Sequence, residues 1–172
     1  MLASTVSDKA IEAPPLASVG VQAYRAVRRA ISFLDELPTL SIVIGSPLLG
    51  QFMIQYLKLF TPGQIAVIEA QAAHRQLALE LGADQAIDPE RLDFEQLAGA
   101  EAVFDLLGTN SSLSQSVQLV RPNGIILQLN NGSGRILFGT PIDAPAQINL
   151  PKWGSHSDLP AVLELARCGL LR

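Results

Sequence analysis

The chain has 172 residues, 48% of them apolar and only 16% charged, with 12 Lys and Arg against 16 Asp and Glu for a net charge of −4. That length suits one domain with a good core and is short for two; the apolar content excludes a disordered chain, and the acidic balance excludes a nucleic-acid partner held by a basic surface. A single cysteine, Cys168, excludes an intrachain disulfide and fits a reducing cytoplasm.

Residues 1–17 are polar, then proline-containing, and read as a tail or linker; residues 18–172 read as a single domain. Met1 to Lys9 lacks a basic segment followed by an apolar core, so it does not read as a secretory signal. Val19 to Leu34 has helical spacing, with Ala23, Val27, Ala30 and Ile31 on one face. Its cluster Arg25, Arg28 and Arg29 reads as a solvated face. Asp35 to Pro38 is a turn, and Thr39 to Ile44 is an apolar run of strand length. Leu40 to Leu57 carries no charge, but Gly45, Ser46, Pro47, Gln51 and Gln55 interrupt it. A buried strand followed by an amphipathic helix, Leu48 to Phe60, explains it better than a membrane span.

Gln64 to Glu69 is the second strand. Ala72 to Leu81 is a helix stopped by Gly82, Gln85 to Asp88 a short strand, and Phe94 to Leu97 a short helix or turn. Glu101 to Leu107 is the fourth strand. Gly108-Thr-Asn-Ser-Ser112 opens the next helix with capping residues, and that helix runs to about Val120. Arg121-Pro-Asn-Gly124 is a turn, Ile125 to Leu129 the fifth strand, and Asn130 to Gly134 a loop. Ile136 to Phe138 and Ile148 to Leu150 are further short strands, and Asp158 to Leu170 is a closing helix whose Cys168 reads as core. Strands alternating with helices predict a doubly wound α/β domain, a mostly parallel sheet with helices on both faces, which is the Rossmann arrangement. Ligands of such sheets bind beyond the carboxyl ends of the strands. Here those ends are Gly45, Glu69, Leu107-Gly108 and Leu129-Asn130.

The turn Gly45-Ser46-Pro47-Leu48-Leu49-Gly50 joins the first strand to its helix and has the outline of a dinucleotide-binding fingerprint. A pyrophosphate needs the unpaired N–H groups and partial positive charge of a helix N-terminus. The first glycine of the fingerprint makes the turn, the second lets the pyrophosphate approach the backbone, and the third lets helix and strand pack closely. Gly45 and Gly50 fill the first and third roles, and Pro47 stands at the second. Proline lacks an N–H and brings a ring, yet it suits the first turn of a helix. Glu69 lies 19 residues past Gly50, near the spacing at which an acid accepts hydrogen bonds from ribose hydroxyls. A carboxylate there repels a 2′-phosphate and so favours NAD over NADP, although His74 and Arg75 follow closely. The same segment also reads as an ordinary strand-to-helix turn with a solvated acid beyond it.

From about Ala13 to the C-terminus the chain resembles the cofactor-binding domain of the medium-chain, zinc-type alcohol dehydrogenases. The matching pieces are Ala13-Pro-Pro-Leu16 with Val19 to Ala26, then Ile44 to Gln51, Leu81-Gly-Ala-Asp84, Phe104-Asp-Leu-Leu-Gly-Thr109, Leu119 to Gly124 and Trp153 to Leu159. The resemblance implies an oxidoreductase that moves a hydride between an alcohol or carbonyl and a nicotinamide cofactor. It also implies that a GroES-like catalytic half lies outside this chain, so that the chain is not catalytic alone. By position, Gly45, Ser46, Pro47, Leu48, Leu49 and Gly50 match the phosphate turn and Glu69 the ribose acid. Leu107, Gly108 and Thr109 would line the adenosine side, and Leu129 and Asn130 would lie near the nicotinamide.

The sequence departs from that family at Pro47 and Leu48, where glycines are frequent. It departs again at Ser18, where many members place a zinc ligand; a serine hydroxyl is a poor one. His156 stands where an arginine often meets the cofactor phosphate, and Gln22 where a threonine is common. No zinc is expected in this chain, because Cys168, His74 and His156 are far apart in sequence. No Ser/His/Asp triad and no nucleophile elbow is present. Two other readings remain: a degenerate, non-catalytic Rossmann domain used for assembly or regulation, and a relative of the zinc-independent quinone reductases. A homodimer through the sheet edge is a further expectation.

Overall fold

Strands of three to nine residues stand side by side in one parallel sheet, and the helices between them cover both of its faces. The computed structural model describes residues 16–31, 34, 39–45, 47–129, 147–149 and 156–171. The strands are β1 (Leu40–Ile44), β2 (Gln64–Ile68), β3 (Gln85–Ile87), β4 (Ala100–Asp105), β5 (Val120–Gln128) and β6 (Gln147–Asn149). The helices are α1 (Val21–Ala30), α2 (Pro47–Phe60), α3 (Ala72–Glu80), α4 (Phe94–Leu97), α5 (Asn110–Leu119) and α6 (Leu159–Arg167). Sheet order is β3-β2-β1-β4-β5-β6, and every neighbouring pair is parallel. This is the doubly wound order in which the chain leaves one half of the sheet after β3 and restarts beside β1.

Residue alternation explains the two layers. In β1, β2 and β4, Val43, Ile65, Val67, Ala102 and Phe104 point to one face, where they pack with α1, α2 and Val162 of α6. Ile42, Ile44, Ala66, Ile68 and Val103 point to the other, against Leu97 of α4 and Leu113 and Leu119 of α5. Strands buried on both faces read as continuous apolar runs. α1 buries Val21, Ala23, Ala26, Val27 and Ala30. Its Tyr24 sets its ring edge against Tyr56 and Phe60 of α2, at centroid distances of 5.5 and 5.8 Å.

Several expectations shift. The helix expected over 19–34 is a wider π-type turn, Leu16–Gly20, followed by α1. Arg25, Arg28 and Arg29 are all exposed, as a solvated face requires, and Arg25 makes a 2.8 Å ion pair with Asp158. β4 begins at Ala100 and ends at Asp105, so Leu107 belongs to the turn beyond the strand. The turn at 121–124 is a bulge within β5: pairing jumps from Ala100↔Val120 to Ala102↔Ile125, and Asn123 takes a φ of 63°. Gly124 sits where a Cβ would lie 2.9 Å from the Glu101 carbonyl oxygen. Cys168 is exposed rather than core, because α6 ends at Arg167 and its thiol faces Glu164 at 3.6 Å. Residues 1–15, the turn at 35–38, the loop at 130–134 and the strand expected at 136–138 lie outside the described residues. No described helix is long and apolar enough to cross a membrane.

Candidate functional site

The carboxyl ends of the strands form one continuous row of backbone hydrogen bonds. Glu69 N–H donates to Ile87 O (3.0 Å), Gly45 N–H to Ile68 O (3.0 Å), Leu106 N–H to Ile44 O (3.0 Å) and Leu129 N–H to Asp105 O (2.9 Å). The sequence-predicted positions Gly45, Glu69, Leu107, Gly108, Thr109 and Leu129 are thereby brought to one edge of the sheet. Ser46 and Asn130 lie outside the described residues, and Pro47 is described as the first residue of α2.

Both terminal glycines of the turn occupy positions where a side chain would be strained or crowded. Gly45 is buried with a φ of 76°, the left-handed region that strains any residue with a Cβ. A Cβ on Gly50 would lie 3.2 Å from the Gly45 carbonyl oxygen, so α2 approaches β1 through a position that suits hydrogen best. Leu48 is exposed at the start of α2, whereas Leu49 is buried.

Glu69 follows β2 directly. Its Oε1 accepts from the Gln71 N–H (2.9 Å) and stands 3.9 Å from His74 Nδ1, which is buried without a hydrogen-bond partner. Among the described residues Oε2 has no partner. Glu69 and His74 line a cavity of about 20 Å³ shared with Gly45, Gly50 and Val67, room for roughly one water. Arg75 points beneath this acid: its Nη1 donates to the Glu69 carbonyl (2.8 Å) and the Ala70 carbonyl (2.6 Å), and its Nη2 pairs with Asp88 Oδ2 at 3.1 Å.

Across the crevice, Asp105 organises the turn after β4. It is fully buried, its Oδ1 accepts from Leu107 N–H (3.0 Å) and Gly108 N–H (2.9 Å), and its Oδ2 accepts from Ser112 Oγ (3.0 Å). Gly108 takes a φ of 62°. Thr109 caps α5: its Oγ1 accepts from Ser112 N–H, and Ser112 Oγ accepts from Thr109 N–H, both at 3.0 Å. Reading the sequence for site residues passes over Asp105. The available signal was an acid closing an apolar strand, followed by a glycine and a capping box. Leu129 is buried, and its carbonyl accepts from Gln22 Nε2 at 3.3 Å, which ties the start of α1 to the end of β5. His156 is exposed in a 3₁₀ turn.

Among the described residues no three His, Cys, Asp or Glu side chains converge to hold a metal. Ser18 is exposed, His74 faces Glu69, and Cys168 faces Glu164. These side chains do not fit a zinc site.

Residues 49–165 match the family described as zinc-binding dehydrogenase. The chain belongs to this family. It is 29% identical to the D-arabinose 1-dehydrogenase (NADP(+)) of Saccharolobus solfataricus over 174 residues, covering 94% of this chain and 49% of that protein. It is 27% identical to the NAD-dependent alcohol dehydrogenase of Sulfurisphaera tokodaii, covering 95% and 49%. Among solved structures, the D-arabinose dehydrogenase from Sulfolobus solfataricus superposes with a TM-score of 0.83 at 29% identity, over 92% of this chain and 52% of that one. The alcohol dehydrogenase from Aeropyrum pernix gives 0.83 at 26% identity, over 96% and 50%. The chain thus spans about half the length of the curated relatives it matches, and the alcohol dehydrogenase-like resemblance and the Rossmann fold read from the sequence are both borne out.

Proposed function

We propose that this member of the zinc-binding dehydrogenase family is the nicotinamide-dinucleotide-binding domain of an alcohol dehydrogenase-like oxidoreductase. The observation that carries the reading is the turn after β1, where Gly45 takes a φ of 76° and Gly50 abuts the Gly45 carbonyl, beside a Glu69 carboxylate with one oxygen unbonded among the described residues. The pyrophosphate would rest on the first turn of α2, at Ser46 to Leu49, where helix N–H groups are orphaned. Glu69 would accept from the ribose hydroxyls, Leu107, Gly108 and Thr109 would line the adenosine side, and Leu129 and Asn130 would lie near the nicotinamide. The bound dinucleotide supplies the hydride-carrying ring. This chain's residues bind and orient it, and none is assigned a catalytic role.

In this reading residues 18–172 are one cofactor-binding domain with 1–17 as a tail, and NAD is preferred because Glu69 opposes a 2′-phosphate. Substrate would be held by residues outside this cofactor-binding domain. Edge pairing between two copies through β6 would give a homodimer. The single Cys168 is the ground for a cytoplasmic location. Titration with NADH, read by fluorescence or calorimetry, should saturate and weaken on Glu69→Ala. No binding at millimolar NADH would sink the proposal and leave a degenerate Rossmann domain in its place.

A further inference from the structure

Cofactor choice turns on more than the acid at the end of β2, because a cation lies directly beneath it. The Arg75 guanidinium is committed on three sides: to the carbonyls of Glu69 and Ala70 through Nη1, and to Asp88 through Nη2. Asp88 is itself fixed, since its Oδ1 accepts from Glu90 N–H at 3.1 Å as the cap of the Pro89–Arg91 turn. The Arg75 side chain is only 22% exposed and that of Asp88 26%, so the pair is partly shielded from water. The other charged or titratable groups nearby are Glu69 and His74, which face each other, and Glu90 and Arg91 on the turn that Asp88 caps.

We propose that Arg75 is a specificity-determining residue held in reserve, with Asp88 as its latch. Resting on the cofactor reading above, the inference is that the chain rejects NADP-type dinucleotides for two separable reasons. Glu69 repels a 2′-phosphate, and Asp88 withholds Arg75, a cation bonded to the Glu69 carbonyl at 2.8 Å. An arginine engaged by a carboxylate and two carbonyls has little to offer a phosphate, whereas a released guanidinium is the side chain best shaped for it. The two carbonyl bonds also give Arg75 a positioning role, because they hold the backbone of residues 69–70 that aims the Glu69 carboxylate. Asp88→Asn removes the charge of the latch and keeps a capping side chain at the head of the 3₁₀ turn, so the fold is retained.

The test is a set of NADH and NADPH titrations on the 172-residue chain and its variants E69Q, E69Q/D88N, E69Q/R75M and E69Q/D88N/R75M. Thermal melts confirm that each is folded. The NADPH-to-NADH affinity ratio should rise on E69Q, and rise again by about tenfold when D88N is added, the equivalent of about 1.4 kcal/mol. The same D88N step in the R75M background should give less than about a twofold rise. An unchanged ratio on adding D88N overturns the inference. So does an equal gain without Arg75, which would make Asp88 a simple repulsive charge. Failure of every variant to bind either cofactor overturns the cofactor reading itself, whereas NADH binding without an Arg75-dependent gain overturns only the latch.

Discussion

Leu107 lies directly over Gly45. A Cβ placed on Gly45 would fall onto Leu107 Cγ and Cδ2 and lie 3.0 Å from Cδ1. Yet Leu107 is 42% exposed, so its outer surface still borders the crevice. The turn after β4 therefore closes onto the turn after β1, and residues far apart in sequence share one wall.

Gly45→Ala should be destabilising twice over. The left-handed backbone costs about 1–2 kcal/mol for a residue with a Cβ, and overpacking against Leu107 adds about 1–3 kcal/mol. Urea unfolding of G45A, L107A and G45A/L107A should show the cost of the glycine substitution falling to the backbone part once Leu107 is truncated. Equal costs in the two backgrounds would mean that the contact is not felt.

Asp105→Ala should cost about 2–4 kcal/mol, because it leaves two amides and a hydroxyl at a buried site without their acceptor. Asp105→Asn keeps an acceptor oxygen and should lose less than half of that. Both are measurable by denaturant unfolding. D105A should also weaken NADH binding, since the 107–109 turn it organises belongs to the proposed site.

Pro47→Ala returns an N–H to the first turn of α2 and should tighten NADH binding by about three- to tenfold if the pyrophosphate sits there. The unfolded chain gains freedom, so stability should fall by about 0.5–1 kcal/mol. Calorimetry and a thermal melt on the same sample separate the two effects.

Tyr56 is fully buried with its hydroxyl unpartnered among the described residues, and burial, with the neighbouring Tyr24 second, pushes its phenol far above the ordinary value near 10. The folded state therefore holds this proton where the unfolded chain releases it. The associated stability is fully present below pH of about 10 and is lost as pH rises beyond it. Tyr56→Phe should leave neutral-pH stability unchanged or raised, and should flatten the fall above pH of about 10. An unaltered alkaline limb in denaturant unfolding would assign that fall to other groups.

The fold was legible because β1, β2 and β4 are short apolar runs whose periods differ from those of the helices between them. Gly45, Gly50 and Glu69 were legible because a turn chemistry and a spacing mark them. Asp105 was not, since an acid at a strand end looks the same whether it is solvated or buried under its own turn. Cys168 was misplaced because helical periodicity does not reveal that α6 stops one residue short of it. The closure of Leu107 over Gly45 and the engagement of Arg75 by Asp88 join distant or independently folded turns, and no local pattern encodes either.

The row of hydrogen bonds along the strand ends acts as a ruler. Glu69 and Leu129 terminate β2 and β5, which are three strand intervals apart in the sheet order. At about 4.8 Å per interval, that is about 14 Å. A molecule that touches both residues must be stretched over that length, so a nucleoside alone could satisfy one end of the crevice but not both.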